Sequence, residues 1–290
     1  MLYPIKHENV AIQFYCISLN FASRDRTATM NLYECYQLVS SIYGANAEPY
    51  EVVECVEKYR RFWRPEHVHT ILLAESHVYT PESDCIEMKP RFSIPDALSN
   101  APSRFTRFVY CPGYGEKDYV GNDLLPNSGT WQYWKIFSSC VYEPSPEFFS
   151  RILKRNKDAE ARMLAKSELL VKLKKTGVWL VDASILALYG PGKSKPTARI
   201  RKRIIECCWD NYICNQIVEA NPRSIIVIGK DVNELVKDML KKIGKDVKID
   251  CVPQPQGCRS KVDIEKLHKN IYELCRSARS SSNATQIDGI

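Results

Sequence analysis

No stretch of this 290-residue chain is apolar for long enough to span a bilayer, and MLYPIKHENV at its start lacks the pattern of a signal peptide. A cytoplasmic location is therefore expected, with no membrane partner. No C-x-x-C pair occurs either. The 12 cysteines are scattered from Cys16 to Cys275, and the nearest thing to a cluster is Cys207, Cys208 and Cys214, with Cys251 and Cys258 further on. In a reducing compartment such thiols read as reduced, mostly buried small hydrophobes, so neither a metal nor another cofactor is expected. The glycine-rich phosphate loop of the P-loop type is missing, no internal repeat is visible, and no linker is long enough to cut the chain in two. What remains is ordinary for a globular protein: 44% hydrophobic and 26% charged residues. The 41 basic residues against 34 acidic ones leave a formal charge of +7, a moderate excess compatible with a polyanionic partner.

The stretch 68–77, VHTILLAESH, is short, mostly aliphatic and flanked by Pro65 and Pro81. That length and those flanks suit a buried strand of a parallel sheet better than a helix. Its end delivers a carboxylate, a hydroxyl and an imidazole in succession, Glu75, Ser76 and His77. In open parallel sheets ligands bind just beyond the carboxyl ends of strands, so the run is either a strand entering a polar surface loop or the edge of an active site.

Residues 1–65 read as a helical N-terminal extension, with helices over 29–43, stopped by Gly44, and over 49–63, ended by Pro65. After the first strand, about fifty residues punctuated by proline and glycine lack periodicity, which in a compact domain usually signals function. Within them lie RFTRFVYCPGYGEKDY and GTWQYWKIF, where aromatics alternate with cations. Trp131, Trp134 and Phe137 could stack bases, but helical spacing favours an inward-packed face. The charged run 147–175 predicts one helix. Strands follow at 178–183, 224–229 and 247–252, alternating with helices at 203–220, 231–243 (capped near Asp231) and about 263–279. Four strands at crossover distances specify a three-layer α/β/α sandwich around a four-stranded, mainly parallel sheet. The expected division is 1–65 as extension, 66–279 as the α/β domain, and 280–290 as a disordered tail.

Strands one, two and four each end in polar residues: Glu75, Ser76 and His77; Asp182; and the loop PQPQGCRS with Gln254, Gln256 and Arg259. Ala74-Glu75-Ser76-His77-Val78-Tyr79, GVWLVD at 177–182, SIIVIGK at 224–230 and Pro253-Gln254-Pro255-Gln256-Gly257 occur in the order of four motifs. Together they resemble the uracil-DNA glycosylase superfamily over roughly residues 65–275. The resemblance implies that Glu75 orients a water, Ser76 standing where many members carry Asp. It places Asp182 where members carry a base-reading Asn, and Gln254 where they carry a catalytic His. His77, a backbone amide or a glutamine amide then has to substitute for that imidazole.

An Asp at the base-reading position accepts but does not donate, which suits the exocyclic amine of a cytosine derivative rather than uracil. The reading that follows is a DNA glycosylase. Glu75, with Ser76 and His77, serves hydrolysis of the N-glycosidic bond, Asp182 and Gln254 read the base, and Tyr110 or Phe108 stacks on it. Lys193, Lys195, Arg199, Arg201, Lys202 and Arg203, the densest basic run, hold phosphates, while Gln256 and Arg259 press on the backbone. The partner is DNA, double-stranded with a flipped base or single-stranded, and no obligate protein partner is evident. The favoured substrate is a modified cytosine, resembling superfamily members that excise glucosylated hydroxymethylcytosine from phage DNA. Repair of uracil or another deaminated base, and a catalytically dead DNA-binding module, are the alternatives. A flavodoxin-like enzyme on a small phosphorylated or nucleotide substrate is the third.

Overall fold

The computed structural model describes residues 30–285, apart from 124, 154, 155 and 245. The first 29 residues of the expected extension and the last five of the expected tail lie outside the described residues. The order is α1 (Leu32–Tyr43), α2 (Tyr50–Phe62), β1 (Thr70–Ala74), α3 (Lys117–Val120), α4 (Trp131–Val141), α5 (Pro146–Ile152), α6 (Ala159–Lys175) and β2 (Val178–Asp182). It continues with α7 (Ala198–Cys208), α8 (Cys214–Ala220), β3 (Ser224–Ile228), α9 (Lys230–Leu240), β4 (Lys248–Val252) and α10 (Lys261–Thr285). The sheet has the order β2-β1-β3-β4, and every pairing in it is parallel.

Strand character follows burial. All five residues of β1, β2 and β3 are buried, as parallel strands covered on both faces require, while β4 is an edge with four of its five residues at least partly exposed. Gly177 sets the entry to β2. Its φ of +73° is one that β-carbon-bearing residues rarely adopt, and a Cβ there would stand 2.5 Å from the His69 ring. The β1–β2 ladder runs on past both strands, with Ala183 N–H donating to Ala74 O and Ser184 N–H to Glu75 O. The backbone that carries Glu75 is thereby fixed by the sheet.

Helix α4 packs against both α6 and α10, α6 touching β2, while α1, α7 and α9 form a second group, α9 lying on β3 and β4. The step from β1 to β2 goes one way along the sheet and that from β3 to β4 the other. Right-handed crossovers then place α6 and α9 on opposite faces, which completes the three-layer α/β/α sandwich.

The structure corrects several boundaries. The expected helix over 147–175 is two, α5 ending at Ile152 and α6 starting afresh at Ala159, where the Asp158 side chain accepts from Ala161 N–H at 3.0 Å. That cap lets the chain turn without proline or glycine. Much of the basic run read as loop is helix α7, capped by Thr197, and α7 continues through a π-helical turn at Trp209–Ile213 into α8. Helix α9 begins after Gly229 rather than being capped by Asp231, which sits in its first turn. Helix α10 runs on to Thr285, into the expected tail. Among the described residues seven cysteines are buried, and three pairs of thiols (Cys35 with Cys208, Cys55 with Cys85, Cys140 with Cys275) are close enough to influence one another's protonation. Among the described residues no helix is long and apolar enough to cross a membrane.

Candidate functional site

In a sheet of this order the connections leaving β1 and β3 depart to opposite sides, so a crevice opens between their carboxyl ends. A cleft of about 510 Å³ lies there. Glu75 at the end of β1, Gly229, Lys230 and Asp231 at the end of β3, and Pro253, Gln254 and Gly257 beyond β4 line it, with Tyr189 and Lys195 facing from the chain between β2 and α7 and Arg201 from α7 itself. Gly229 has a φ of +112°, and a Cβ there would come 3.1 Å from the Gln254 side chain. A bare backbone at 229 is what lets Gln254 lie against the mouth of β3.

Glu75 is 7% exposed and forms an ion pair with the Arg201 guanidinium. Burial raises its carboxyl above the ordinary value of 4.5, and Arg201 opposes that rise. Tyr133 of α4 feels the charge of both Asp182 and Glu75. Burial and then these two carboxylates push its hydroxyl up, so it keeps its proton and is available as a donor.

The residues beside Glu75 go elsewhere. Ser76 Oγ accepts from Leu188 N–H at 3.2 Å. His77 is buried, its Nε2 held by the Glu48 carboxylate, its Nδ1 3.8 Å from Asp182 Oδ2, a charge contact rather than a hydrogen bond. Burial opposes a proton on that ring, but Glu48 and then Asp182 outweigh it, and the His77 pKa is pushed up to about 9. Asp182 is 1% exposed and accepts from Arg60 Nη2 at 2.8 Å, while Arg60 also pairs with Glu57. Glu57 in turn accepts from the Tyr212 hydroxyl at 2.8 Å. Asp182 and His77 thus belong to a closed network of buried charges behind the cleft, and the structure does not bring them to its wall.

Phe108 and Tyr110 are also interior. Tyr110 stacks on Phe137 at 5.5 Å, and its oxygen accepts from Leu180 N–H at 2.8 Å, which satisfies a backbone donor of the edge strand β2. Phe108 meets the His77 ring edge-on and lies under the Arg60 guanidinium. Of the helical aromatics, Trp134 and Phe137 are core, whereas Trp131 is 53% exposed.

Among the basic residues, Lys195 and Arg201 line the cleft, while Arg199, Lys202 and Arg203 are exposed on α7. Lys193 opens the same run in a short 3-10 turn, Pro191–Lys193. Gln256 donates to Gln132 of α4 at 2.6 Å, and Arg259 lines a second hollow that shares Lys230, Pro253 and Gly257 with the first.

The sequence reading missed Glu48, Arg60, Tyr189 and Lys230. Lys230 carried a usable signal, because it ends the third strand as Glu75 ends the first. Glu48 and Arg60 carried none, since their partners lie 29 and 122 residues away. No protein-family model matches the chain, and no curated protein matches it.

Proposed function

We propose that the chain is a DNA glycosylase, which hydrolyses the bond between a deoxyribose and a base turned out of the duplex into the β1–β3 cleft. One observation carries the reading: a nearly buried carboxylate, Glu75, at the crevice of a parallel sheet, walled by Lys195, Arg201 and Lys230. A carboxylate there can orient a water and balance the positive charge that builds on the sugar as the C1′–N bond breaks. The water oxygen joins C1′, and the base departs with its bonding electrons and takes up a proton. Gln254 both donates and accepts, so its amide can hold a carbonyl or an amine of the departing base. Arg201 leaves Glu75 for an incoming phosphate, which frees the carboxylate when DNA is present.

Asp182, from which the sequence reading took a preference for cytosine, is engaged with Arg60 and His77. Base choice therefore falls to the groups lining the cleft. A modified cytosine in phage DNA, and with it a role in defence, stays within the proposal as one of the substrates tested. The second reading, a nucleic-acid-binding module without activity, is favoured by the Glu75–Arg201 ion pair, which neutralises the carboxylate assigned to the water.

The test is an abasic-site assay on otherwise identical DNAs carrying uracil, hydroxymethylcytosine or glucosylated hydroxymethylcytosine. Abasic sites are expected on at least one of them and none with Glu75→Gln. Tight binding of all three without any abasic product would overturn hydrolysis in favour of the binding module.

A further inference from the structure

We infer that Tyr189 is a stacking platform for a nucleobase inside the cleft, with Lys195 beside it for the attached phosphate; this rests on the nucleic-acid reading but not on hydrolysis. Tyr189 and Trp131 are two of the three aromatic side chains that stand exposed among the described residues, at 40% and 53%. Tyr189 lines the cleft that Glu75 enters. An exposed aromatic ring within a polar cleft needs an explanation, since 13 of the aromatic rings among the described residues are buried in the core and only three stand exposed.

The backbone on either side of Tyr189 is held firmly. Leu188 N–H donates to Ser76 Oγ at 3.2 Å, Leu188 O accepts from the Tyr43 hydroxyl at 2.9 Å, and Gly190 N–H donates to Ser194 O at 3.0 Å. One residue earlier, Ala187 N–H donates to Glu48 at 2.9 Å. The ring is thus presented by a fixed loop, so little ordering is required when a flat ligand lies against it. Lys195 Nζ lies over the Tyr189 ring, 5.2 Å from its centroid, a cation–π contact that an incoming base displaces, leaving the ammonium free within the cleft for the attached phosphate. Stacking on aromatic rings in a positively charged groove is how single-stranded nucleotides are held without regard to sequence.

Trp131 repeats the pattern where the 253–257 loop meets α4. Lys135 Nζ lies 5.0 Å from its ring, and its neighbour Gln132 is bonded to Gln256 of that loop. It is placed for a flanking base outside the cleft.

The experiment compares two labelled single strands of equal length and charge, one of thymidines and one in which abasic linkers replace the bases, by fluorescence anisotropy in the Glu75→Gln background. The parent is expected to prefer the base-bearing strand by about tenfold or more. Tyr189→Ala should cut that preference down to what Trp131 supplies, Tyr189→Phe should keep it, and Lys195→Ala should weaken both strands alike. Tyr189→Ala binding both strands as the parent does would overturn the inference, as would equal binding of the two strands by the parent. Preference with no abasic product from unmutated protein would count against hydrolysis alone.

Discussion

Replacing Glu48 by glutamine tests whether buried charge behind the cleft holds its loops in place. The Glu48 carboxylate, wholly buried, accepts from the His77 ring, from Ala187 N–H at 2.9 Å and from Thr80 N–H at 3.4 Å, and so ties the segment after β1 to the segment after β2. His77 is held at a pKa of about 9 against an ordinary 6.5, a difference worth about 3 kcal/mol. The folded protein binds that proton more tightly than the unfolded chain does. Its contribution is therefore complete below pH 6.5 and lost as pH rises through about 9. Glutamine keeps the size of the side chain and one acceptor oxygen but removes the charge that holds the imidazolium. Breaking one partner of a buried pair typically costs about 3–5 kcal/mol. At about 2–4 °C per kcal/mol for a domain approaching this size, a cost of about 3 kcal/mol lowers the melting midpoint by about 6–12 °C near pH 6. The deficit should shrink toward pH 9, where wild type has lost the same proton. Thermal unfolding followed by circular dichroism from pH 5 to 10, with an NMR titration of the His77 ring, reads both effects. A variant melting within about 2 °C of wild type at pH 6, with the same pH profile, would refute the reasoning.

Asp182→Asn separates a structural role from base reading. Loss of Arg60's partner predicts a lower melting midpoint with base preference in the abasic-site assay unchanged, whereas a changed preference at full stability would return Asp182 to the site. If Glu75 works as a carboxylate, activity falls as pH drops through a value above the ordinary 4.5, because burial raises it. Arg201→Ala should move that acid limb higher still, since Arg201 opposes the rise. Single removals of Lys195 or Lys230 should each flatten the dependence of log affinity for DNA on log salt by about one, read by anisotropy titrations at several salt concentrations. A thiol reagent on the native protein should modify Cys251, the one exposed cysteine among the described residues, before Cys207, Cys214 and Cys258. The seven buried thiols should react only on unfolding, as peptide mapping after timed quenching would report.

The strands were readable because their signal is local. TILLA, VWLVD and SIIVI are apolar runs bounded by proline, glycine or polar residues, and burial on both faces of a parallel sheet asks for little else. The break between α5 and α6 was not, because Asp158 ends the pattern by capping and no breaker residue marks it. The C-terminal helix outran its reading for the converse reason: the serines of 280–282 look like a tail but sit in a helix. At the site, Glu75 and Gln254 are strand-end residues that a local rule finds. His77 and Asp182 satisfy the same rule, yet Glu48, from the loop between α1 and α2, and Arg60 of α2 reach them from the first 65 residues. Long-range pairing of that kind leaves no trace in spacing. It also shows that this part of the chain is no mere appendage, since it supplies charges to the rear of the cleft.

The deciding variable is which gap between strands opens. Polar residues end β1 and β2 side by side, with Ala74 paired to Asp182, and from sequence that pairing looks like a site. But the β1–β2 gap is closed: the ladder continues through Ala183 and Ser184, Ser76 holds Leu188, and Glu48 holds Ala187. Carboxylates caught there lose water, and each must find a cation, as Asp182 finds Arg60. On the other side of β1 the chains leaving β1 and β3 depart in opposite directions, and the β1–β3 pairing ends at Leu73 and Val227. Glu75 faces that side, paired with Arg201 of α7. One strand thus separates two carboxylates of similar sequence context, one committed to the core and one at the wall of the cleft. Exchanging their characters would take more than a point mutation, because the difference lies in the strand order. Asp182→Ala together with Arg60→Leu should therefore leave DNA affinity intact, while Arg201→Leu alone, which touches only the open gap, should reduce it.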